Sequence, residues 1–315
     1  MSKYKIKPLK PQGLRTSPHR SLKGKVTTFH FAEPFLPSGS FESFLAGLPD
    51  VLAARDLNNF VSLLRNAKKR KKPILCALGA HPIKVGLNPV LIDLMREGWI
   101  SGLALNGAGI IHDFEIAFSG YTSEDVGRQI KHGGFGMSRE TGTKLNEAIS
   151  ADQDNLGLGE IVGKLLESSG FPFKHLSLLA TAYELNIPVT VHVAIGTDTI
   201  HFHPKVSGQA LGKTSLRDFF LFCSLVKGLN DGGVFLNIGS AVVLPEVFLK
   251  AVSFIRNKGS VLDGFSTAVF DFIHHYRPDQ NVVKRPLGKK GKGYYFIGHH
   301  ELMIPLLAAA LKSNS

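Results

Sequence analysis

Two histidines stand directly behind glycine-rich turns, a placement that suits proton transfer beside a bound ligand. His81 closes Leu78-Gly79-Ala80-His81, and His112 follows Asn106-Gly107-Ala108-Gly109. An imidazole there can serve as general acid or base, or bind a phosphate, because it changes charge near neutral pH. The plain alternative for each is a surface residue or a hydrogen-bonded core residue. Asp113 and Glu115 fall in the first helical turns after the second loop, where a carboxylate can enter the chemistry or simply complement the helix dipole. Lys84, three residues after His81, can neutralise a phosphate or carboxylate or stand in solvent. His81, His112 and Asp113 are the candidate catalytic residues. The two histidines are expected to face one pocket, since neighbouring strands lie only ~4.8 Å apart.

A second group, His192, His201 and His203, contains a His-x-His pair. On a strand that spacing puts both rings on one face and suits zinc, but no third ligand is fixed by the sequence, and no metal is assigned. Gly208-Gln209-Ala210-Leu211-Gly212-Lys213-Thr214 is one residue short of the Walker spacing and follows no evident buried strand, so it reads as a loop.

These residues need a scaffold that gathers strand ends. Short apolar runs at 74–78, 102–105, 189–193, 233–237, 261–266 and 294–297 alternate with stretches of helical length near 58–69, 89–98, 111–119, 174–185, 244–257 and 300–311. That alternation predicts an α/β fold, a Rossmann-like parallel sheet with helices on both faces. Residues 120–173 read as helices and loops bordering the site. Four strands run into glycine-containing loops, and in such sheets ligands bind outside the carboxyl ends of the strands. Glycine there lets backbone N–H groups approach a phosphate that a Cβ would block. The fingerprint G-x-G-x-x-G is not met.

Composition narrows the class. The 315 residues are 43% hydrophobic and 20% charged, as in an ordinary globular chain. Cys76 and Cys223 both sit in apolar runs, which favours a reducing compartment over a disulfide framework. The net charge of +12 collects at residues 3–25, 68–72 and 284–292, without interleaved aromatic residues, so a nucleic-acid partner is not expected. No run is long and apolar enough for a secretory signal or a membrane span, and a cytoplasmic location is expected. Residues 1–25 read as a basic flexible arm and 26–315 as a single α/β nucleotide-binding domain.

The order of the motifs resembles the deoxyhypusine synthase family, over roughly residues 74–311. The family's first strand ends in a Gly-Tyr-Thr-Ser-type turn, where Leu78-Gly79-Ala80-His81 stands here. Its Gly-Gly turn with Val-Glu-Glu-Asp is similar to Gly107-Ala108-Gly109-Ile110-Ile111-His112-Asp113, and its Asn-x-Ile-Pro-Val to Asn186-Ile187-Pro188-Val189. Its triple-glycine Val-Val turn resembles Gly239-Ser240-Ala241-Val242-Val243. Asp263-Gly264, Arg277-Pro278-Asp279 and the helix at Met303-Ile304-Pro305-Leu306-Leu307 follow in the same order.

The resemblance implies bound NAD, held by Gly79, Ala80, Asn106, Gly107, Gly109, Gly239, Ser240, Ala241, Asp263 and Gly298. It also implies a homo-oligomer, a homotetramer in the family, with sites near subunit interfaces. The departures fall on the chemistry. Leu244-Pro245-Glu246 replaces the family's Lys-His-His, and Pro286 stands where its imine-forming lysine belongs, with Lys284 two residues away. The carboxylates that hold the polyamine are missing near Ser266 and Thr267. The expected function is an NAD-dependent enzyme acting on a small substrate, an amine among the candidates, without the synthase reaction. The alternatives are a non-catalytic nucleotide-binding or regulatory protein and, third, metal-dependent hydrolysis at the histidine cluster.

Overall fold

The computed structural model describes residues 3–151 and 155–313. Six strands form one sheet: β1 (Ile74–Leu78), β2 (Gly102–Asn106), β3 (Val189–His192), β4 (Val234–Ile238), β5 (Ser266–Asp271) and β6 (Gly293–Ile297). Every pairing is parallel, and the order is β3-β2-β1-β4-β5-β6. This is the doubly wound order, in which connections leave β1 and β4 toward opposite edges and open a crevice between their carboxyl ends. In register, Cys76 of β1 sits between Leu103 of β2 and Leu236 of β4.

The alternation of side chains divides the core into two layers. Ile74, Cys76 and Leu78 enter one layer, Leu75 and Ala77 the other. The first layer is covered by α1 (Leu52–Lys69), α2 (Asn88–Arg96), α3 (Gly107–Ser119), α4 (Arg139–Ser150), α5 (Leu158–Glu167) and α6 (Leu178–Glu184). The second is covered by α7 (Gly208–Lys227) and α8 (Val243–Asn257), and α9 (His300–Lys312) returns to the first beside α1. Aromatic residues fill both. Phe60 of α1 packs on Phe270, Tyr294 and Phe296, and Phe235 stacks on Phe248 with centroids 3.8 Å apart. Each such fully buried ring contributes ~1.5–3 kcal/mol.

Two sequence expectations are corrected here. The segment 208–214 is not a loop but the first two turns of α7. Ser207 caps it, its Oγ accepting from Ala210 N at 3.2 Å, and Leu211, Ser215, Phe222 and Val226 supply the buried face. Gly208 and Gly212 face open space, so they lower helix propensity without breaking the helix. The fifth strand is Ser266–Asp271, not 261–266. Val261 is exposed, and Asp263-Gly264 forms a turn, with φ +68° at Gly264, before the strand begins. Asp263 therefore lies at the amino edge of the sheet, opposite the glycine loops. Its backbone N–H donates to Asn230 Oδ1, and its Oδ1 accepts from Gly264 N. It is withdrawn from the ligand-binding set.

Among the described residues, no helix is long and apolar enough to cross a membrane. Residues 3–40 hold no strand, only 3-10 turns at His19–Ser21 and Thr28–His30, and are almost entirely exposed.

Candidate functional site

The site is built from the first residues past each strand. The backbone N–H of Gly79, Gly239 and Gly298 donates to Ile238, Phe270 and Asp271 oxygens at 2.9, 3.0 and 2.9 Å, so the sheet ladder continues one step into each loop. A Cβ on Gly79 would lie 2.0 Å from Gly239 O, so glycine is required where the β1 and β4 loops touch. The resulting crest carries small residues: Ala80 after β1, Ser240 and Ala241 after β4, and Gly298 after β6. Ser240 Oγ accepts from Leu244 N, in the first turn of α8, at 3.2 Å.

At β2 the helix starts immediately, with Gly107 as its first residue. Asn106 Oδ1 accepts from Gly109 N at 3.0 Å, and this N-cap explains the Asn-Gly-Ala-Gly sequence. The open side of Gly107 faces the chain itself. Asp198, from the loop after β3, places its Oδ2 2.1 Å from where a Gly107 Cβ would be. Burial pushes the Asp198 carboxyl upward in pKa, partly opposed by His201, Thr197 and His112. A carboxylate thus lies against the α3 turn that the sequence assigned to a phosphate.

One turn further, Lys84, Ala108, His112, Glu115, Thr197 and Asp198 line a cavity of about 180 Å³. His112 Nδ1 lies 2.6 Å from Thr122 Oγ1, and the Thr122 hydroxyl donates to Glu115 Oε2. Burial pushes Glu115 upward, but His112, Thr122 and Thr141 together hold it below the ordinary carboxylate value. Glu115 is therefore an acceptor, the Thr122 proton is committed to it, and His112 Nδ1 must be the donor toward Thr122. In neutral His112 this leaves Nε2 as the basic nitrogen. Thr122 and Asp198 carry no periodicity or motif signal, and the sequence reading passed over both.

His81 and His112 do not share their neighbours. His81 turns to His300, at 3.0 Å between Nδ1 atoms, and to the ring of Phe272. Lys84, not His81, joins His112 at the cavity. Asp113 is fully buried away from both. It accepts from Asn88 Nδ2 at 3.0 Å, Ser177 Oγ, Leu178 N at 2.8 Å and Leu179 N at 3.1 Å, capping α6. Burial pushes its pKa upward against the pull of these donors. The sequence pattern around Asp113 thus serves helix packing in this structure.

The second histidine group is split three ways. His192 is buried on β3 against Phe222, with Nε2 3.1 Å from Thr190 Oγ1, and burial lowers its pKa to about 4. His201 Nδ1 accepts from Gly196 N and Asp198 N, and His203 Nδ1 from Lys205 N. His201 lies in a 3-10 turn with His203 just beyond it, not on a strand, so the expected one-face geometry is absent. Among the described residues, no group of three or more histidine, cysteine or acidic side chains is placed to hold a metal ion.

The crest can be tested against a dinucleotide on its own geometry. Small residues follow β1, β4 and β6, with Ala80, Ala241 and Gly298 half-buried and Ser240 buried, and the half-exposed Phe272 ring, flanked by His299, offers a flat face. That arrangement fits the rings and ribose of NAD. The phosphates would have to lie along the β4 and β6 loops, since the α3 turn already faces Asp198.

No protein-family model matches the chain, and no curated protein matches it. Solved structures do. AgrE, determined as a ternary complex with ornithine and NAD+, aligns at TM-score 0.51 with 14% identity, over 82% of this chain and 32% of its own. A protein assigned to LOR/SDH from Methanococcus maripaludis S2 aligns at TM-score 0.50 with 15% identity, over 82% and 69%. The fold is Rossmann-like. This chain spans about a third of AgrE's length, and at these identities the likeness is one of fold. A protein assigned as a deoxyhypusine synthase from Entamoeba histolytica covers 89% of this chain and 95% of its own, at TM-score 0.49 and 10% identity, which is too distant to bear on the family.

Proposed function

We propose that the chain is an NAD-binding enzyme acting on a small polar substrate, with His112 taking or returning the substrate's proton. The observation that carries this reading is the fixed tautomer of His112 at a cavity on the carboxyl side of a doubly wound sheet. About 180 Å³ is below the ~300–1,000 Å³ of drug-sized sites, so the cavity suits a substrate of amino-acid size. Asp198, Glu115 and Glu124 favour an amine, and Lys84 at the rim can meet a carboxylate. AgrE, which shares the fold and was solved with ornithine and NAD+, is consistent with an amine-bearing substrate.

NAD would rest on Ala80, Ala241 and Gly298, with Phe272 beside a ring, and would supply a hydride acceptor. The chain's own residues bind the amine, hold a proton at His112 Nε2 and keep Nδ1 engaged with Thr122. The resemblance to the deoxyhypusine synthase family adds a homotetramer, and the cysteine usage a cytoplasmic location. Exposed Val242, Ile273, Tyr276, Ile297 and Leu302 around the strand ends form an apolar rim that a second subunit would cover.

The test is a panel of small amines and amino acids with NAD, read by the fluorescence of reduced nicotinamide. His112→Asn keeps a polar group near Thr122 but removes the base, so kcat should fall by ~10²–10⁴-fold with NAD affinity unchanged. Undiminished turnover in His112→Asn would remove His112 from the mechanism. Turnover of no amine, together with no NAD binding, would remove the reading itself.

A further inference from the structure

A second imidazole is fixed in one tautomer, outside the His112 cavity. His300, the first residue of α9, is fully buried, and its Nε2 lies 3.1 Å from Phe270 O on β5. A carbonyl oxygen only accepts, so this nitrogen carries the hydrogen. Burial holds His300 below the usual imidazole range, against smaller upward pulls from Phe270 O and Asp271, which favours the neutral ring, and in that ring Nδ1 is a bare lone pair. His81 Nδ1, 3.0 Å away, must then be the donor between them. The remaining nitrogen of neutral His81, Nε2, holds a lone pair, and no hydrogen-bond partner for it is present among the described residues.

We propose that His81 is a hydrogen-bond acceptor of the strand-end crest, with His300 as the positioning residue that holds its Nε2 lone pair ready for a ligand. The chain of command runs from the sheet outward: the Phe270 carbonyl sets His300, and His300 sets His81. Because Phe270 belongs to β5 and His81 follows β1, the relay spans the β1–β4 crevice from its far side. The ligand's O–H or N–H donates to the Nε2 lone pair and keeps its own proton. His81 stays neutral, and its Nδ1–H bond to His300 is undisturbed while Nε2 accepts.

The surroundings restrict the ligand class. The Phe272 ring lies 5.9 Å from the His81 ring and is 45% exposed, and a Cβ on Gly239 would touch His300. A ligand here presents a hydroxyl or amide N–H beside a flat ring or apolar body. The ribose hydroxyls and the carboxamide of NAD both meet that description. For the identity of the ligand the inference rests on the NAD reading; the tautomer assignment does not.

The experiment is nitrogen NMR of the full chain with labelled histidine, at a pH where both rings are neutral, followed by titration with NAD. The expected result is a Nδ1–H tautomer for His81 and a Nε2–H tautomer for His300. In His300→Gln, His81 should revert to the mixture of a free imidazole. His81→Asn, a half-buried site that should fold normally by circular dichroism, should bind NAD at least ~10-fold more weakly, as expected for loss of one hydrogen bond to a bound ligand. A Nε2–H tautomer for His81 in the wild type overturns the relay. Unchanged NAD affinity in folded His81→Asn overturns its role as acceptor while leaving the NAD reading intact. No NAD binding to the wild type overturns both.

Discussion

The Asp198 carboxylate packs against Gly107, with Oδ2 2.1 Å from where a Cβ would stand. A glycine that reads in sequence as an opening for a phosphate is filled by the chain's own anion, delivered by the loop after β3. The contact pins that loop to the first turn of α3 and forms one wall of the His112 cavity. Gly107→Ala should therefore destabilise the fold by ~1–3 kcal/mol through overpacking, measured by urea denaturation. Adding Asp198→Ala should restore part of that loss. If the single variant is as stable as the wild type, the contact is looser than described.

Asp113 should prove to be a cap and not a catalyst. Asp113→Ala leaves Leu178 N, Leu179 N and the Ser177 hydroxyl hydrogen without their acceptor in the core, a loss of ~2–4 kcal/mol. The melting temperature should fall markedly, while kcat measured well below it should be unchanged. A folded Asp113→Ala protein without activity would return Asp113 to the site.

Two buried groups should give opposite slopes of stability against pH. Asp218 is fully buried in α7, accepting from Gly159 N and Val191 N, and burial raises its pKa from 3.8 to about 7. The folded state then holds a proton that the unfolded state has released, so stability is greatest below the unfolded value and is lost as pH rises toward 7. For His192, lowered from 6.5 to about 4, the unfolded state binds the extra proton, and stability is lost as pH falls from 6.5 to 4. Each effect is on the order of 3–4 kcal/mol, and they largely cancel between pH 4 and 6.5. Asp218→Asn should unmask a rise of stability with pH in that window, and His192→Asn a fall. Parallel profiles for the two variants would contradict both assignments.

The synthase reaction of the family it resembles should be absent. Lys284, the nearest available lysine, is held 2.6 Å from Asp279 Oδ2 at the end of a short π-helical turn. Pro286 removes the amine at the aligned position. Incubation with NAD, labelled spermidine and the initiation factor should leave the factor unlabelled, and any transfer would make Lys284→Ala the next variant to examine.

Most of the scaffold was legible because it rests on local pattern. β1 is a continuous apolar pentapeptide buried on both faces, and α8 and α9 show the spacing of one-sided helices. The fifth strand was misplaced because Val261-Leu262 is more apolar than Ser266-Thr267, although only the latter pair has a partner in Val234-Phe235. α7 was missed because its glycines weaken the helical signal that Ser207 and the buried face restore. Within the site, His81 and His112 were visible as residues behind turns. Their partners were not, since His300 lies 219 residues from His81 and Thr122 sits in a loop without periodicity. Which hydrogen bond fixes a histidine is a tertiary fact, and here it decides which nitrogen is the base.

The central claim, that the strand-end crest binds NAD, is tested most directly by titration calorimetry of NAD into the full chain, with Ala241→Trp as the control. Ala241 is half-buried on the crest and lies outside both histidine relays, so the bulky ring should block the ligand without disturbing the core. The account predicts saturable binding at one NAD per chain in the wild type, and loss of that binding in Ala241→Trp with an unchanged melting temperature. Absence of any binding heat at millimolar NAD, or equal affinity in the two proteins, would contradict it.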